Sequence, residues 1–231
     1  MAARARVAAV SGATDQDDED LERAEGDAAF VLSLRARGVR DTAILRALER
    51  VPRALFAKGG HRALARRDVA LPIACGATMT APTTIAAMLL ALEVAPGARV
   101  LEIGTGSGYA TALLAQLGAA EIVSLERYAT LAEDAAGLLC DWPVIAVRHA
   151  DGLAPLAGEG GFDRILVNGG VGAIPEHWTR ALAPGGRLAA PLAAPTGNRL
   201  VVVERGEGGL RETLGPPLRL PALVPGRAGI L

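Results

Sequence analysis

The sequence has few of the residues that mark secreted, metal-binding or membrane proteins. Its 231 residues include two cysteines, Cys75 and Cys140, and neither belongs to a CxxC pair. We therefore expect no disulfide framework and no metal, and we interpret both cysteines as buried free thiols of a cytoplasmic protein. No window holds eighteen uncharged apolar residues, so we also expect no transmembrane helix and no membrane partner.

Aromatic residues make up only 3% of the chain, and the net charge at pH 7 is only −1. The charge is unevenly placed, with seven acids and one arginine over 15–25, and ten basic residues against two acids over 35–67. A basic segment can bind nucleic acid, but this one lacks the interleaved aromatic side chains of a base-stacking platform. We favour solvated faces of two amphipathic helices, or arginines lining a site for an acidic substrate, and expect no nucleic-acid partner.

The chain divides into three predicted regions. Residues 1–20 are rich in alanine and then acidic, which predicts a disordered tail, and their apolar run is too short for a secretory signal. Residues 21–95 form a predicted helical extension on the substrate side, with helices over 21–37, after a capping Asp41, and from Pro82. Residues 96–231 are the predicted cofactor-binding domain.

From Arg99 onward, short apolar strands alternate with helices. The predicted strands are ARVLEIG, EIVSLE, PVIAVRHA, FDRILVN, GGRLAAPLA and NRLVVVER, and the predicted helices are SGYATALLAQLG, LAEDAAGLL and IPEHWTRAL. This alternation predicts an α/β fold with a doubly wound, mostly parallel, Rossmann-like sheet covered on both faces. Its ligand should lie at the carboxyl ends of the strands, near the point where the strand order reverses.

The first of these strands runs into a glycine-rich turn, VLEIGTGSGY. The glycines fall at Gly104, Gly106 and Gly108, and the helix is predicted to begin near Ser107 or Gly108. Glycines there let the backbone turn tightly and let a ligand approach closely. The dinucleotide fingerprint G-x-G-x-x-G is not matched, because Tyr109 occupies its third glycine position, and no G-K-[ST] of a phosphate-binding loop follows. A dehydrogenase is therefore disfavoured.

Acidic residues at successive strand ends identify the ligand more closely. Glu102 would repel a pyrophosphate but suits an ammonium group, directly or through water. Glu126 ends the next strand and is placed for the paired hydroxyls of a ribose. Asp151 and Gly152 follow the third strand, where they are placed for an adenine amino group. A ligand with a ribose and a positive charge but no phosphate fits S-adenosyl-L-methionine.

Three segments resemble the protein L-isoaspartate O-methyltransferase family: VLEIGTGSGY, LPIACGATMTAP and ALERVPRALF. The resemblance runs from about Leu34 to about Val203. The glycine motif is general to class I methyltransferases, whereas GATMTAP and VPR-x-x-F are much more specific. The resemblance implies a class I methyltransferase fold and methylation of the α-carboxylate of L-isoaspartyl residues in damaged proteins, which leads to repair through a succinimide.

The resemblance also assigns roles to residues. The family's functional serine falls on Thr80, whose hydroxyl can hold the acceptor carboxylate without protonating it. The predicted catalytic residue is therefore Thr80. The predicted cofactor-binding residues are Ala77, Thr78, Met79, Thr80, Glu102, Gly104, Thr105, Gly106, Ser107, Gly108, Glu126, Arg127, Asp151 and Gly152. The predicted substrate-binding residues are Ala81, Pro82, Asn168, Gly169 and Gly170. We expect isoaspartyl proteins or peptides as partners of a cytoplasmic monomer.

Some positions depart from the family pattern. Ala77 stands where the family often has glutamine, Asn168 and Gly169 replace residues near the substrate, and Asn198 replaces a later glutamine. These changes concern the acceptor. Alternatives are a methyltransferase for another carboxylate, such as an aspartate of a dedicated peptide, or a cofactor-binding homologue without catalysis. A nucleic-acid methyltransferase is disfavoured, because Asn168 is followed by two glycines and not by the N-P-P-Y motif.

Overall fold

The computed structural model describes residues 21, 24–155, 160–195 and 197–229, so the tail predicted over 1–20 lies outside the described residues. Helix α1 covers 24–36, and Gly38 follows it with a left-handed φ of 98°. Helix α2 covers Thr42–Arg50, and the Asp41 side chain accepts a hydrogen bond from the Ile44 amide at 2.9 Å. The predicted cap at Asp41 is therefore confirmed, and the apolar face of α2 packs into the core.

The segment between α2 and the next helix is held together by a buried arginine. It contains short 3₁₀ turns at Arg53–Leu55, Gly59–Leu64 and Ala74–Gly76, and an antiparallel pair of two-residue strands, β1 (Leu71–Pro72) and β2 (Thr78–Met79). The Arg53 guanidinium is 3% exposed and donates to backbone carbonyls of Ala65, Arg67, Val69, Met79 and Thr80. One side chain thus fixes a segment that has little regular structure.

Helix α3 (Pro82–Leu92) begins immediately after this segment. Proline stands in its first turn, and its N-cap residue, Ala81, makes no side-chain hydrogen bond. Asp68 caps the helix from a distance, because its carboxylate accepts from both the amide and the hydroxyl of Thr83 at 2.9 Å. Thr80 is therefore not the cap of this helix, and its hydroxyl is left for other partners.

A seven-stranded sheet forms the centre of the molecule. Its strands are β3 (Arg99–Ile103), β4 (Glu121–Glu126), β5 (Ile145–His149), β6 (Phe162–Val167), β7 (Leu182–Ala194), β8 (Gly197–Gly206) and β9 (Gly209–Leu218). They lie in the order β5-β4-β3-β6-β7-β8-β9. The pairs from β5 to β7 are parallel, and β7, β8 and β9 are antiparallel. The predicted doubly wound, mostly parallel fold is confirmed, with the added strand β9, whose sequence carries two prolines and little apolar alternation.

Both faces of the sheet are buried at its centre, as continuous apolar strands require, whereas the edge strands β5 and β9 are largely exposed. Residues such as Val100, Ile122 and Leu166 face the core shared with α1 to α3 and with helices α4 (Tyr109–Gln116) and α5 (Ala129–Leu138). Residues such as Leu101 and Val123 face the other core, which contains Trp178 of helix α6 (Glu176–Ala181).

Surface features bear on two expectations drawn from composition. None of the helices in the described part of the chain is long and apolar enough to cross a membrane. Cys75 is half-buried and Cys140 is exposed, so the expectation of two buried thiols is wrong. Cys140 lies directly after the buried Leu139 at the end of α5, where the chain turns outward to solvent.

Candidate active site

A cavity of about 310 Å³ opens at the carboxyl ends of β3 and β4. Strand β3 lies between β4 and β6, which is where the strand order reverses, so the cavity occupies the place that the fold predicts for a ligand. Its walls come from the glycine turn, the end of β4, the β1–β2 segment and residues near the C-terminus.

The glycine turn forms the floor of this cavity. Gly104, Gly106 and Gly108 have φ values of 90°, 56° and 85°, a region that side chains other than glycine rarely adopt. The Gly104 amide donates to the Leu125 carbonyl at 2.8 Å, which ties the turn to β4. Gly108 is the N-cap of α4, and a Cβ there would lie 3.0 Å from Leu139, so this glycine serves packing and does not line the cavity.

Glu126 connects the turn to the next helix. Its carboxylate lines the cavity, is 4% exposed, and accepts from the Gly106 amide at 2.8 Å and the Tyr128 amide at 3.0 Å. These bonds use one lone pair of each oxygen and leave further acceptor capacity toward the cavity. Glu126 therefore lies at the cavity as the sequence predicts, and its ribose role stays a prediction.

Glu102 has a different environment from the one expected. It is fully buried, lies outside the residues that line the cavity, and accepts from Thr111 Oγ1 at 2.5 Å, Ser124 Oγ at 2.6 Å and Asn168 Nδ2 at 2.7 Å. Burial raises the pKa of this carboxyl to about 7, against the lowering by its three hydrogen bonds. Neighbouring side chains enclose the carboxylate, so it does not line the cavity, and its contact with a ligand ammonium group, directly or through water, stays a prediction.

Asn168 separates Glu102 from the cavity. It lies after β6, at the same edge of the sheet, and its side chain lines the cavity. Nδ2 donates to Glu102 Oε1 and, at 3.1 Å, to the Gly104 carbonyl. Sequence reasoning assigned Asn168 to the substrate, whereas the structure places it beside the glycine turn.

Asp151 and Gly152 lie where the sequence places them, at the cavity after β5. Asp151 accepts from the Leu153 amide at 2.9 Å. A Cβ on Gly152 would lie 2.5 Å from Ile103, so only glycine allows this turn to approach β3. The Gly152 carbonyl accepts from the buried Trp178 indole at 2.8 Å, which fixes the turn to α6.

The β1–β2 segment forms the opposite wall. Ala77, Thr78, Met79 and Thr80 all line the cavity, whereas the predicted substrate residues Ala81 and Pro82 lie outside its lining at the start of α3. Thr80 is half-buried and its carbonyl accepts from Arg53 at 3.1 Å. In the described part of the chain no partner is found for its hydroxyl.

The C-terminal residues 221–228, here called the C-terminal strap, close the remaining side. Pro221, Ala222, Leu223 and Val224 line the cavity, and sequence reasoning missed them because this segment has no strand or helix pattern. The Leu223 amide donates to the Gly170 carbonyl, and the Gly170 amide to the Pro221 carbonyl, both at 2.8 Å.

Contacts with the strap and with Asn198 account for glycine at positions 169 and 170, which the sequence analysis assigned to substrate binding. A Cβ on Gly169 would lie 2.5 Å from Leu223, and one on Gly170 would lie 2.8 Å from the Asn198 side chain. Neither glycine is among the residues that line the cavity. The strap and Asn198 fill the space above these glycines, and the substrate role of Gly169 and Gly170 stays a prediction.

The remaining predicted residues, Thr105, Ser107 and Arg127, line the cavity. Tyr109 and Tyr128 line it as well and were not predicted, although each directly follows a motif residue. Within the described ranges, no group of three or more His, Cys, Asp or Glu side chains is arranged to hold a metal ion. Apolar side chains form most of the surface of this cleft, and backbone amides, hydroxyls and carboxylates lie among them.

Comparisons with known proteins agree on one family. The model of the protein-L-isoaspartate(D-aspartate) O-methyltransferase family matches residues 25–213. A protein-L-isoaspartate O-methyltransferase of Azorhizobium caulinodans is 46% identical over 183 residues, covering 77% of this chain and 82% of the relative. Protein-L-isoaspartate O-methyltransferase 2 of Rhodopseudomonas palustris is 44% identical over 198 residues, covering 84% of this chain and 91% of the relative.

Solved structures resemble the fold. A Plasmodium falciparum structure, named for the same activity and solved in complex with S-adenosyl-L-homocysteine, has a TM-score of 0.76 at 22% identity. The match covers 85% of this chain and 97% of that one. At this identity the likeness shows the fold alone.

Proposed function

Because the chain belongs to the protein-L-isoaspartate(D-aspartate) O-methyltransferase family, we propose that it methylates the α-carboxylate of L-isoaspartyl residues with S-adenosyl-L-methionine. The observation that carries the proposal is the meeting of Thr80, the glycine turn and Glu126 at one cavity. Neither the turn nor the hydroxyl alone would distinguish this reaction from other uses of the fold.

The residues of the cavity fit this cofactor. Glu126 is placed at the end of β4 for ribose hydroxyls, and the positive φ at Gly104 and Gly106 lets the backbone approach the ligand closely. When bound, the cofactor supplies a methyl group on a sulfonium, which the acceptor oxygen takes by in-line displacement.

Thr80 holds the acceptor. A carboxylate is already ionised at neutral pH, so the site needs no general base, and a single hydroxyl donor can orient the carboxylate without neutralising it. Arg53 fixes the Thr80 backbone from the buried side, so that its hydroxyl is presented from a rigid segment. The mostly apolar lining excludes water from the carboxylate and makes it a better nucleophile.

The product explains the repair. When the following backbone nitrogen attacks the carbonyl carbon of the methyl ester, a C–N bond forms and the C–OCH3 bond breaks. Methoxide leaves from an ester more readily than an oxygen leaves from an ionised carboxylate, and it departs as methanol with the amide proton, which gives a succinimide. Hydrolysis of the succinimide returns part of the material to normal aspartate. We place this activity in the cytoplasm, in a monomer without nucleic-acid or membrane partners, and we retain 21–95 as the substrate-side extension and 96–231 as the cofactor domain.

The experiment uses two peptides that differ only in isoaspartate or aspartate at one position. Methyl transfer from radiolabelled S-adenosyl-L-methionine is measured together with release of the label by mild base. We expect base-labile label on the isoaspartyl peptide alone. Label on the aspartyl peptide instead would favour another carboxylate substrate, and cofactor binding without transfer to either would favour a homologue without catalysis.

Two substitutions at Thr80 test its role. Thr80→Val keeps the shape but removes the hydroxyl, and we expect turnover to fall about 100-fold while S-adenosyl-L-homocysteine still binds. Thr80→Ser restores a hydroxyl and should recover most of the activity. Equal turnover of Thr80→Val and the native protein would remove Thr80 from the mechanism.

A further inference from the structure

The side-chain oxygen of Asn168 is a buried acceptor that has no partner in the described part of the chain. Buried polar groups are nearly always hydrogen-bonded in folded proteins, so one without a partner at the wall of a binding cavity needs an explanation. Asn168 lines the cavity beside the glycine turn, where a ligand would lie.

The orientation of the Asn168 amide is fixed by its other end. Nδ2 lies 3.1 Å from the Gly104 carbonyl, and a carbonyl can only accept a hydrogen bond. Turning the amide over would bring two oxygens together there and would also lose the 2.7 Å bond to Glu102. Asn168 Oδ1 therefore points away from Glu102 and the Gly104 carbonyl, to a side where the described residues offer it no hydrogen-bond donor. Any partner of this oxygen must be a donor.

A donor of this kind is present in the proposed cofactor. Its α-ammonium group carries three N–H bonds and a positive charge, and the acid Glu102 next to Asn168 favours a cation on this side of the cavity. Glu102 would be the obvious partner from sequence, but its carboxylate is enclosed by Thr111, Ser124 and Asn168. Asn168 is the side chain that stands between that carboxylate and the cavity.

We propose that Asn168 Oδ1 accepts a hydrogen bond from the α-ammonium group of the cofactor and selects for that group. The proposal rests on the proposed use of S-adenosyl-L-methionine, but not on which carboxylate receives the methyl group. This role differs from the substrate role that the sequence suggested for Asn168. It also means that the neutral Asn168 amide, and not the Glu102 carboxylate behind it, contacts the ammonium group.

The test compares two ligands in the same protein by calorimetry. S-adenosyl-L-homocysteine carries the ammonium group, and its deaminated analogue has hydrogen in that position. The native protein should prefer the first, and in Asn168→Ala this preference should fall about tenfold, as expected for one lost hydrogen bond to a charged group. Binding of the deaminated analogue should change little, and this also shows that the variant is folded.

Thr111→Val is the matched control. It removes another hydrogen bond to Glu102 from a residue that does not line the cavity, so the ligand preference should stay native. The same loss in Thr111→Val would mean that Asn168 acts only by supporting Glu102, and would overturn the proposal. An unchanged preference in Asn168→Ala would overturn it too, including the case in which only the KM for isoaspartyl peptide rises.

Failure of the proposed function is distinguishable from these results. A native protein that does not bind S-adenosyl-L-homocysteine contradicts the proposed function and the inference together. A native protein that binds it and prefers it over the deaminated analogue, but methylates neither peptide, contradicts only the acceptor assignment and leaves the role of Asn168 in place.

Discussion

The backbone amide of Gly226 donates a hydrogen bond to the carboxylate of Asp151 at 2.7 Å. This contact joins the C-terminal strap to the turn after β5, across the rim of the cavity. Arg127 strengthens the same junction, since its guanidinium donates to the Gly226 carbonyl at 2.9 Å and its carbonyl accepts from the Ala228 amide at 2.8 Å. Asp151 therefore holds part of the wall as well as lining the cavity.

Asp151→Asn should release the strap. An amide can still accept from Leu153 but presents a donor to Gly226, so the 2.7 Å bond is lost. We expect S-adenosyl-L-homocysteine to dissociate about fivefold faster or more, in a stopped-flow measurement. The same acceleration with an analogue lacking the adenine amino group would assign the effect to the strap, because that analogue makes no adenine contact with Asp151.

Asp163→Asn provides the control for that substitution. Asp163 accepts from the Arg99 amide at the start of β3, at the opposite end of the strand from the cavity. S-adenosyl-L-homocysteine should dissociate from Asp163→Asn at the same rate as from the native protein. If Asp151→Asn accelerates release of the natural ligand but not of the analogue, the carboxylate acts on adenine alone and the strap is held by other contacts.

Gly169→Ala should loosen the strap from a different side. The added methyl would lie 2.5 Å from the Leu223 side chain, and overpacking of this kind costs about 1–3 kcal/mol. Thermal unfolding should shift downward, and limited proteolysis should cut the C-terminal segment sooner. Gly172→Ala is the matched control, since a Cβ there meets nothing within 4 Å and its φ is not positive; similar behaviour of the two variants would exclude the packing explanation.

The sequence predicted the alternating strands and helices around the cavity because strand, turn and helix signals are local, whereas the order of the strands in the sheet came only from the structure. The sequence also placed Glu126, Asp151 and the glycine turn at one edge, since carboxyl ends of parallel strands meet there. It failed where the environment depends on distant contacts. Glu102 is enclosed by side chains from α4, β4 and the end of β6, and no local pattern reports that burial.

The glycine-rich segment 169–172 also shows that a local sequence pattern does not report distant contacts. Glycines after a strand permit close approach, but their sequence does not say what approaches. Here the strap, more than 50 residues later in the chain, fills the space that the sequence assigned to substrate. Strand β9 was missed for a related reason, because its pairing with β8 sustains a strand that contains prolines near its end.

Arg53→Lys should weaken both stability and turnover. Lysine has one compact ammonium group and cannot reach the five carbonyls that the guanidinium holds. We expect a loss of about 2 kcal/mol or more in the free energy of unfolding, measured with urea, and a fall in kcat of about tenfold because Thr80 loses its anchor. Arg50→Lys, at an exposed position of α2, should leave both native.

The buried Glu102 carboxyl should make stability depend on pH in a defined direction. Burial raises its pKa from 4.5 to about 7 in the folded protein, so between these values the folded state keeps a proton that the unfolded state has released. Folding is therefore favoured most at low pH within this range, and this contribution is lost as the pH rises through about 7.

Glu102→Gln removes this titration while keeping a side chain of the same shape that can accept from Asn168. Urea unfolding of both proteins at several values between pH 5 and pH 8 measures the difference. Relative to the variant, the native protein should lose up to roughly 3 kcal/mol across the window, at about 1.4 kcal/mol per pH unit. Parallel curves for the two proteins would contradict the raised pKa, and would mean that the three hydrogen bonds to Glu102 stabilise its charge as well as water does.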